Sequence, residues 1–277
     1  PIFGTIADTK GYKKPIFTAS MMVGVIGCAA LSVPTSWVVF LAVFVIAKVG
    51  FSSSLIFCDA MLSDVTTPDR MDMISSHGYA WGYIGSCVPF VISLIFVLGN
   101  EAIGISMGTA MTITFVLNAG WWFFATLPLL KNYEQKNYVE KQKHVIRSSF
   151  ERLGKTFKEI KQYKKIFVFL LAFFFYIDGV YTIIEMATAY GSSLGLDSTG
   201  LLLALLVTQI VAFPFALIFG KLAKKYATAK LIKVCIAAYT CIGLFAIQLD
   251  KQWEFWLLAV CVGMFQGAIQ ALSRSYF

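Results

Sequence analysis

Charge is scarce in this 277-residue chain. Only 14% of its residues are Asp, Glu, Lys or Arg, against about 25% in a soluble globular domain. So few charges cannot cover a water-facing surface, which argues against a soluble enzyme or a nucleic-acid-binding domain. Histidine is rarer still, with two residues. No His, Cys and carboxylate set has metal-ligand spacing, and no Ser-His-acid grouping is visible. Six cysteines occur, at 28, 58, 87, 235, 241 and 261, without a Cys-x-x-Cys pair. All sit in apolar runs and read as small buried hydrophobes. A Gly-x-x-x-x-Gly-Lys-[Ser/Thr] loop is missing, which disfavours an ATP-driven pump. An initiator Met and a secretory signal are missing too. The chain opens on Pro1 and a basic stretch, as a fragment or a processed chain would.

What the sequence has is apolar length. Hydrophobic residues make up 58% and include 25 Phe, which excludes disorder. A membrane helix needs about 20 mostly apolar residues. Eight runs qualify: 15–34, 37–59, 76–98, 105–130, 166–187, 199–220, 229–248 and 252–272. They are continuous rather than alternating, so a β-barrel is excluded.

The basic residues orient these runs. Segments 1–14, 60–75, 131–165, 221–233 and Arg274 hold 21 of the 23 Lys and Arg. All fall on one side if the eight runs alternate, and that side is cytoplasmic by the positive-inside rule. Both ends of the chain are then cytoplasmic. The net charge of +8 needs no nucleic acid. Residues 131–165 shift abruptly to polar and basic. Within them Phe150, Leu153, Phe157 and Ile160 recur at helical spacing, as in an amphipathic helix on the inner leaflet. This divides the chain into a half-bundle at 1–130, a linker at 131–165 and a half-bundle at 166–277.

Ionisable groups deep in hydrocarbon cost about 2.5–3.5 kcal/mol each, so they face a cavity or a partner. Lys48 lies mid-run, and a snorkelling reach of over ~15 Å is beyond its stem. Ser52 and Asp59 share its helix face. Asp178 is equally deep, with Tyr181 and Glu185 on the same face at i+3 and i+7. Gly179 weakens the helix beside it, and transporter helices often break near the midplane. Glu185 lies nearer the outer interface. Gln266 and Gln270 are one turn apart and fit either a cavity wall or interhelical hydrogen bonds. Gln209 and Asn118 are weaker cases of the same kind. Gly78-x-x-x-Gly82 permits close helix approach, and Pro89 and Pro214 remove backbone hydrogen bonds within their spans.

Two loops look alike. One reads Phe3-Gly4-Thr5-Ile6-Ala7-Asp8-Thr9-Lys10-Gly11-Tyr12-Lys13-Lys14, the other Phe219-Gly220-Lys221-Leu222-Ala223-Lys224-Lys225-Tyr226. The first resembles the G-x-x-x-D-x-x-G-x-[KR]-[KR] loop of the major facilitator superfamily, although Thr9 and Tyr12 replace usual bases. The second resembles its weaker echo and lacks the acid and the later Gly. In this register the eight runs are family helices three to ten, and the chain reads as a piece of a twelve-helix protein lacking two helices at each end. Three strings resemble the vacuole-effluxer-like, autophagy-related branch: Gly78-Tyr79-Ala80-Trp81-Gly82-Tyr83-Ile84-Gly85, Tyr176-Ile177-Asp178-Gly179-Val180-Tyr181-Thr182-Ile183 and Gln270-Ala271-Leu272-Ser273-Arg274-Ser275.

The resemblance implies an all-α, polytopic membrane protein that moves solute by alternating access. Amino-acid efflux is ascribed to the eukaryotic branch. Helices four, seven and ten line the superfamily's cavity, and they carry Lys48, the Tyr176, Asp178, Tyr181 and Glu185 group, and Gln266 with Gln270. Gly4, Asp8, Gly11, Lys13, Lys14, Gly82 and Pro89 are the gating candidates. The expected function is secondary transport of a small polar solute, coupled to an ion or proton. A membrane receptor or scaffold, or an intramembrane enzyme, is the alternative. Expected partners are the solute, membrane lipids and protons, with no nucleic acid and no cofactor. The protein is expected as a monomer in a bacterial-type plasma membrane.

Overall fold

A computed structural model describes residues 2–33, 36–140, 150, 151, 154, 155, 159 and 164–276. The secondary structure among them is helical, apart from one isolated parallel bridge between Thr9 and Val139. The helices are α1 (Ile2–Ala7), α2 (Lys13–Ala30), α3 (Trp37–Ala60), α4 (Leu62–Val65), α5 (Met71–Leu98), α6 (Asn100–Ile103), α7 (Met107–Asn132), α8 (Lys164–Ser193), α9 (Ser198–Leu222), α10 (Thr228–Ala246) and α11 (Gln252–Tyr276).

Among the described residues, seven helical stretches are long and apolar enough to cross a membrane. They match the expected runs from 37–59 onward. The run expected at 15–34 forms α2, which falls short of the other seven. It opens on Lys13 and Lys14 and ends at Ala30, so less of its length is apolar. α5 and α8 reach 28 and 30 residues and exceed the apolar runs that mark them. Backbone hydrogen bonding continues through polar ends that hydropathy does not see. α8 also passes unbroken through Asp178 and Gly179, so the expected break is absent there. Of the expected amphipathic segment, Leu153, Phe157 and Ile160 lie outside the described residues.

The described chain forms two compact units. The first comprises Pro1–Thr66 and Pro89–Lys164, the second Thr67–Val88 and Lys165–Phe277. In the first unit α2 packs on α3 and α7. Small residues make that possible. A Cβ on Gly50 would stand 2.4 Å from the Gly24 nitrogen, and one on Gly27 would stand 2.8 Å from Ala47 Cβ. Between lipid-solvated helices such close approach supplies the packing attraction that hydrophobicity cannot. Close approach at Gly82 is not what the structure shows: no atom lies within 4 Å of where its Cβ would be.

In the second unit α11 packs on α9 and α10. Ala204, Thr208, Ala212, Ala216 and Gly220 recur every fourth residue on α9, and all are buried. Ala259, Gly263, Gly267 and Ala271 do the same on α11. The stripes interlock: a Cβ on Gly263 would meet the Thr208 carbonyl at 2.8 Å, and one on Gly267 would meet Ala216 Cβ at 2.9 Å.

Candidate functional site

In the second unit, α11 carries a line of polar side chains through an apolar core. Gln266 is buried and Gln270 half-buried. Both turn to Tyr83 of α5. The Tyr83 hydroxyl donates to Gln270 Oε1 at 2.5 Å, and Gln266 lies close enough to interact with the same phenol. Tyr181 of α8 and Tyr239 of α10 lie close enough to that phenol to interact with it electrostatically. One turn nearer the end of α11, the Tyr176 and Ser273 hydroxyls meet at 2.6 Å. The structure thus joins Tyr176, Gln266 and Gln270 to α11's polar line, with Tyr181 beside it.

The line ends in a charged cluster. Arg274 Nε donates to Ser75 Oγ at 2.9 Å and Nη2 to the Ser75 carbonyl at 3.1 Å. The guanidinium lies 4.7 Å from the Tyr79 ring centroid. A Cβ on Gly78 would come within 3.3 Å of Nη2, so that glycine leaves the arginine its space. Asp72 accepts from Thr228 Oγ1 at 2.6 Å and from the Ser275 hydroxyl. Asp72, Ser75, Thr228 and Tyr83 were not singled out by sequence reasoning. A lone acid at the start of a span reads as solvated, and only the fold brings α5, α10 and α11 together.

Asp178 and Glu185 are exposed on α8, and Tyr181 is 40% exposed. They keep the shared face that their spacing predicts. In the first unit Lys48 is half-buried on α3 between the buried Ala47 and Gly50, and its Nζ lies 5.7 Å from the Phe51 ring centroid. Lys48 and Asp178 belong to different units.

The gating candidates of the first loop lie in the first unit. Lys13 Nζ pairs with Asp64 Oδ2 at 2.9 Å, both side chains being buried. The same carboxylate accepts from the Tyr133 hydroxyl at 2.5 Å and from the Asn137 amide at 2.7 Å. Burial and the neighbouring carboxylate push the Tyr133 phenol well above its usual range. Asp8 and Gly11 are exposed, and Lys14 is half-buried. Gly11 takes φ of +80°, a left-handed turn that glycine adopts without steric penalty. Gly4 has open space around it, and its carbonyl accepts the Asp8 amide at 3.1 Å. Segment 133–140 straps across this turn. Val139 N donates to the Asp8 carbonyl at 2.8 Å, Lys10 N to the Val139 carbonyl at 3.0 Å, and Gly11 N to Gln135 Oε1 at 3.0 Å. Pro89 lies inside an unbroken α5, where the two units divide.

Among the described residues no three His, Cys, Asp or Glu could hold a metal ion together. The second unit instead offers neutral hydroxyls and amides within its helices.

The sequence profile described as "Vacuole effluxer Atg22 like" matches residues 63–277. The chain belongs to this family. All three diagnostic strings fall inside the matched stretch of this Atg22-like chain. It is 44% identical over 281 residues to a Bacillus subtilis (strain 168) protein described as an uncharacterized MFS-type transporter, YxiO. That match covers all of this chain and 66% of YxiO. Autophagy-related protein 22-1 of Penicillium rubens is 25% identical over 234 residues, 74% of this chain and 38% of that protein. Autophagy-related protein 22 of Saccharomyces cerevisiae (strain S288c) is 24% identical over 250 residues, 76% and 47%. The chain therefore spans less than two thirds of the length of these relatives. No solved structure matches it. Seven apolar helices and transporter relatives together make it an integral, multi-pass membrane protein.

Proposed function

We propose that this Atg22-like chain is the core of a secondary transporter that moves a small polar solute by alternating access. The observation that carries the reading is the Tyr83, Gln266 and Gln270 group. It is a set of neutral polar side chains held inside apolar helices, where each isolated polar group would be costly. The family's description as a vacuole effluxer supports solute export from a compartment, and amino acids are the first solutes to test.

Coupling is assigned to Lys48 and Asp178. A charge at depth is expensive unless a partner or water offsets its desolvation, so each of the two marks a place where the protein supplies one. Protonating Asp178, an exposed acid on α8, would remove its charge and so link a proton gradient to a conformational change, with Glu185 as an outer relay. Asp8, Lys13 and Lys14 are assigned to the cytoplasmic gate. The test is transport of a labelled panel of amino acids and small solutes by the full-length protein in proteoliposomes, with and without a pH gradient. Gradient-driven transport of at least one solute is expected, with Asp178→Asn lowering it at least ten-fold, about 1.4 kcal/mol. An Asp178→Asn protein that still responds fully to the gradient overturns the proton role.

A further inference from the structure

Two cavities adjoin in the second unit, and their chemistry differs. The larger, about 320 Å³, lies between α8, α10 and α11. Its wall is apolar, and the one phenol in it, Tyr190, already donates its hydroxyl to the Ala246 carbonyl at 2.8 Å. The smaller, about 50 Å³, lies between α8, α9 and α11 and is lined in part by Thr208, Gln209 and Gln266. Ile183, Ala187, Phe255 and Leu258 line both.

The smaller cavity has hydrogen-bond acceptors to spare. Gln209 Oε1 is buried and has no hydrogen-bond partner among the described residues, which is rare for a native polar atom. The Thr208 hydroxyl lies 3.0 Å from the Ala204 carbonyl and 3.1 Å from the Ala259 carbonyl. Its proton is committed and its lone pairs are not. No Lys, Arg, His, Asp or Glu lines either cavity. A carboxylate or a multiply charged ion would find no counter-charge there. What fits is a neutral donor head on an apolar body.

Depth narrows the choice. Gln209 is eleven residues into α9, about 17 Å along a helix, which is mid-membrane. The apolar cavity reaches Tyr190, Ile247 and Phe255, where α8 and α10 end and α11 begins. The polar end is therefore the deeper one. A phospholipid, whose headgroup stays at the interface, is oriented the wrong way.

We infer that the two cavities form one binding site for a small neutral amphiphile, a medium-chain primary alcohol being its simplest ligand. The hydroxyl donates to Gln209 Oε1 and the chain fills the apolar part. The smaller cavity shares Gln266 with the group read as the solute site, but the argument for this ligand does not rest on that reading.

The test photolabels the purified chain in lipid nanodiscs with octanol that carries an aliphatic diazirine, and maps adducts by mass spectrometry. Adducts are expected on Ile183, Met186, Phe255 and Leu258. Unlabelled octanol should suppress them, while octane and octanoate at equal concentration should not. Gln209→Leu should lower the yield about five-fold, as loss of one neutral hydrogen bond does. Equal suppression by octane, or native labelling of a folded Gln209→Leu protein, overturns the proposal. Should that variant not fold, the competition series on the native chain decides alone.

Discussion

The Lys13–Asp64 pair shows how one residue's environment sets its importance. Side-chain exposure is 4% for Lys13 and 0% for Asp64. Asp64 Oδ2 is held by Lys13 and Tyr133, and Oδ1 by the Asn137 amide. Such a pair adds little over an apolar pair of similar volume, yet removing one partner strands a buried charge at about 3–5 kcal/mol. Asp64→Leu should therefore lower the unfolding midpoint in detergent more than the double variant Lys13→Met with Asp64→Leu does. Additive losses would show that the two charges do not depend on each other. Lys13 was legible in the sequence because its loop has a recognisable spacing. Asp64 was not, because it lies 51 positions away in a polar stretch where an acid reads as solvated. The same distance problem hid Asp72, whose partners Thr228 and Ser275 are 156 and 203 positions away.

At the scale of elements, apolar runs located the helices and small residues determine how closely they pack. Hydropathy marked the ends of the long helices to within about six residues, since burying a run from water and from lipid headgroups needs only its length. It could not say which glycines meet a neighbour, because that depends on how each helix is rotated. Gly50 and Gly82 separate the two cases. A Cβ at Gly50 would collide with the Gly24 backbone, whereas one at Gly82 would meet nothing within 4 Å. Gly50→Ala should destabilise by about 1–3 kcal/mol through overpacking. Gly82→Ala should be neutral or stabilising by up to about 1 kcal/mol through helix propensity. Unfolding of both variants in one detergent checks this, and equal destabilisation would mean that the α2–α3 seam is looser than these distances indicate. The Gln266 and Gln270 pair was legible as a face of α11, but Tyr83 was not, because a tyrosine near the middle of a span gives no sign of its partner.

For the whole molecule the informative quantity is where charge is missing. The interior of the described spans offers few places for an ion, and 21 of the 23 basic residues fall in segments that alternation puts on one side. Lys221 lies in the last turn of α9, Lys224 and Lys225 in the turn that follows, and Lys230 and Lys233 in α10. No acid occurs between Asp197 and Asp250. The turn between α10 and α11 holds Lys251 beside Asp250 and ahead of Glu254. Translocating the first turn would carry five positive charges through hydrocarbon, at about 2.5–3.5 kcal/mol for each one placed mid-span. The second turn has only one base to carry. The expected orientation rests on the difference between these two turns, with the basic one cytoplasmic, and α2's shortfall in apolar length does not enter it. The prediction concerns single cysteines introduced into a variant in which the six native cysteines are replaced by serine or alanine. In intact cells, a cysteine at position 225 should resist a membrane-impermeant maleimide until the cells are opened. One at position 251 should react from outside. The reverse labelling pattern would invert the molecule, and reaction of both from one side would break the alternation of α9, α10 and α11. The reverse pattern would also overturn the expected cytoplasmic placement of the Asp72–Ser275–Thr228 cluster, since Thr228 opens the helix that follows the basic turn.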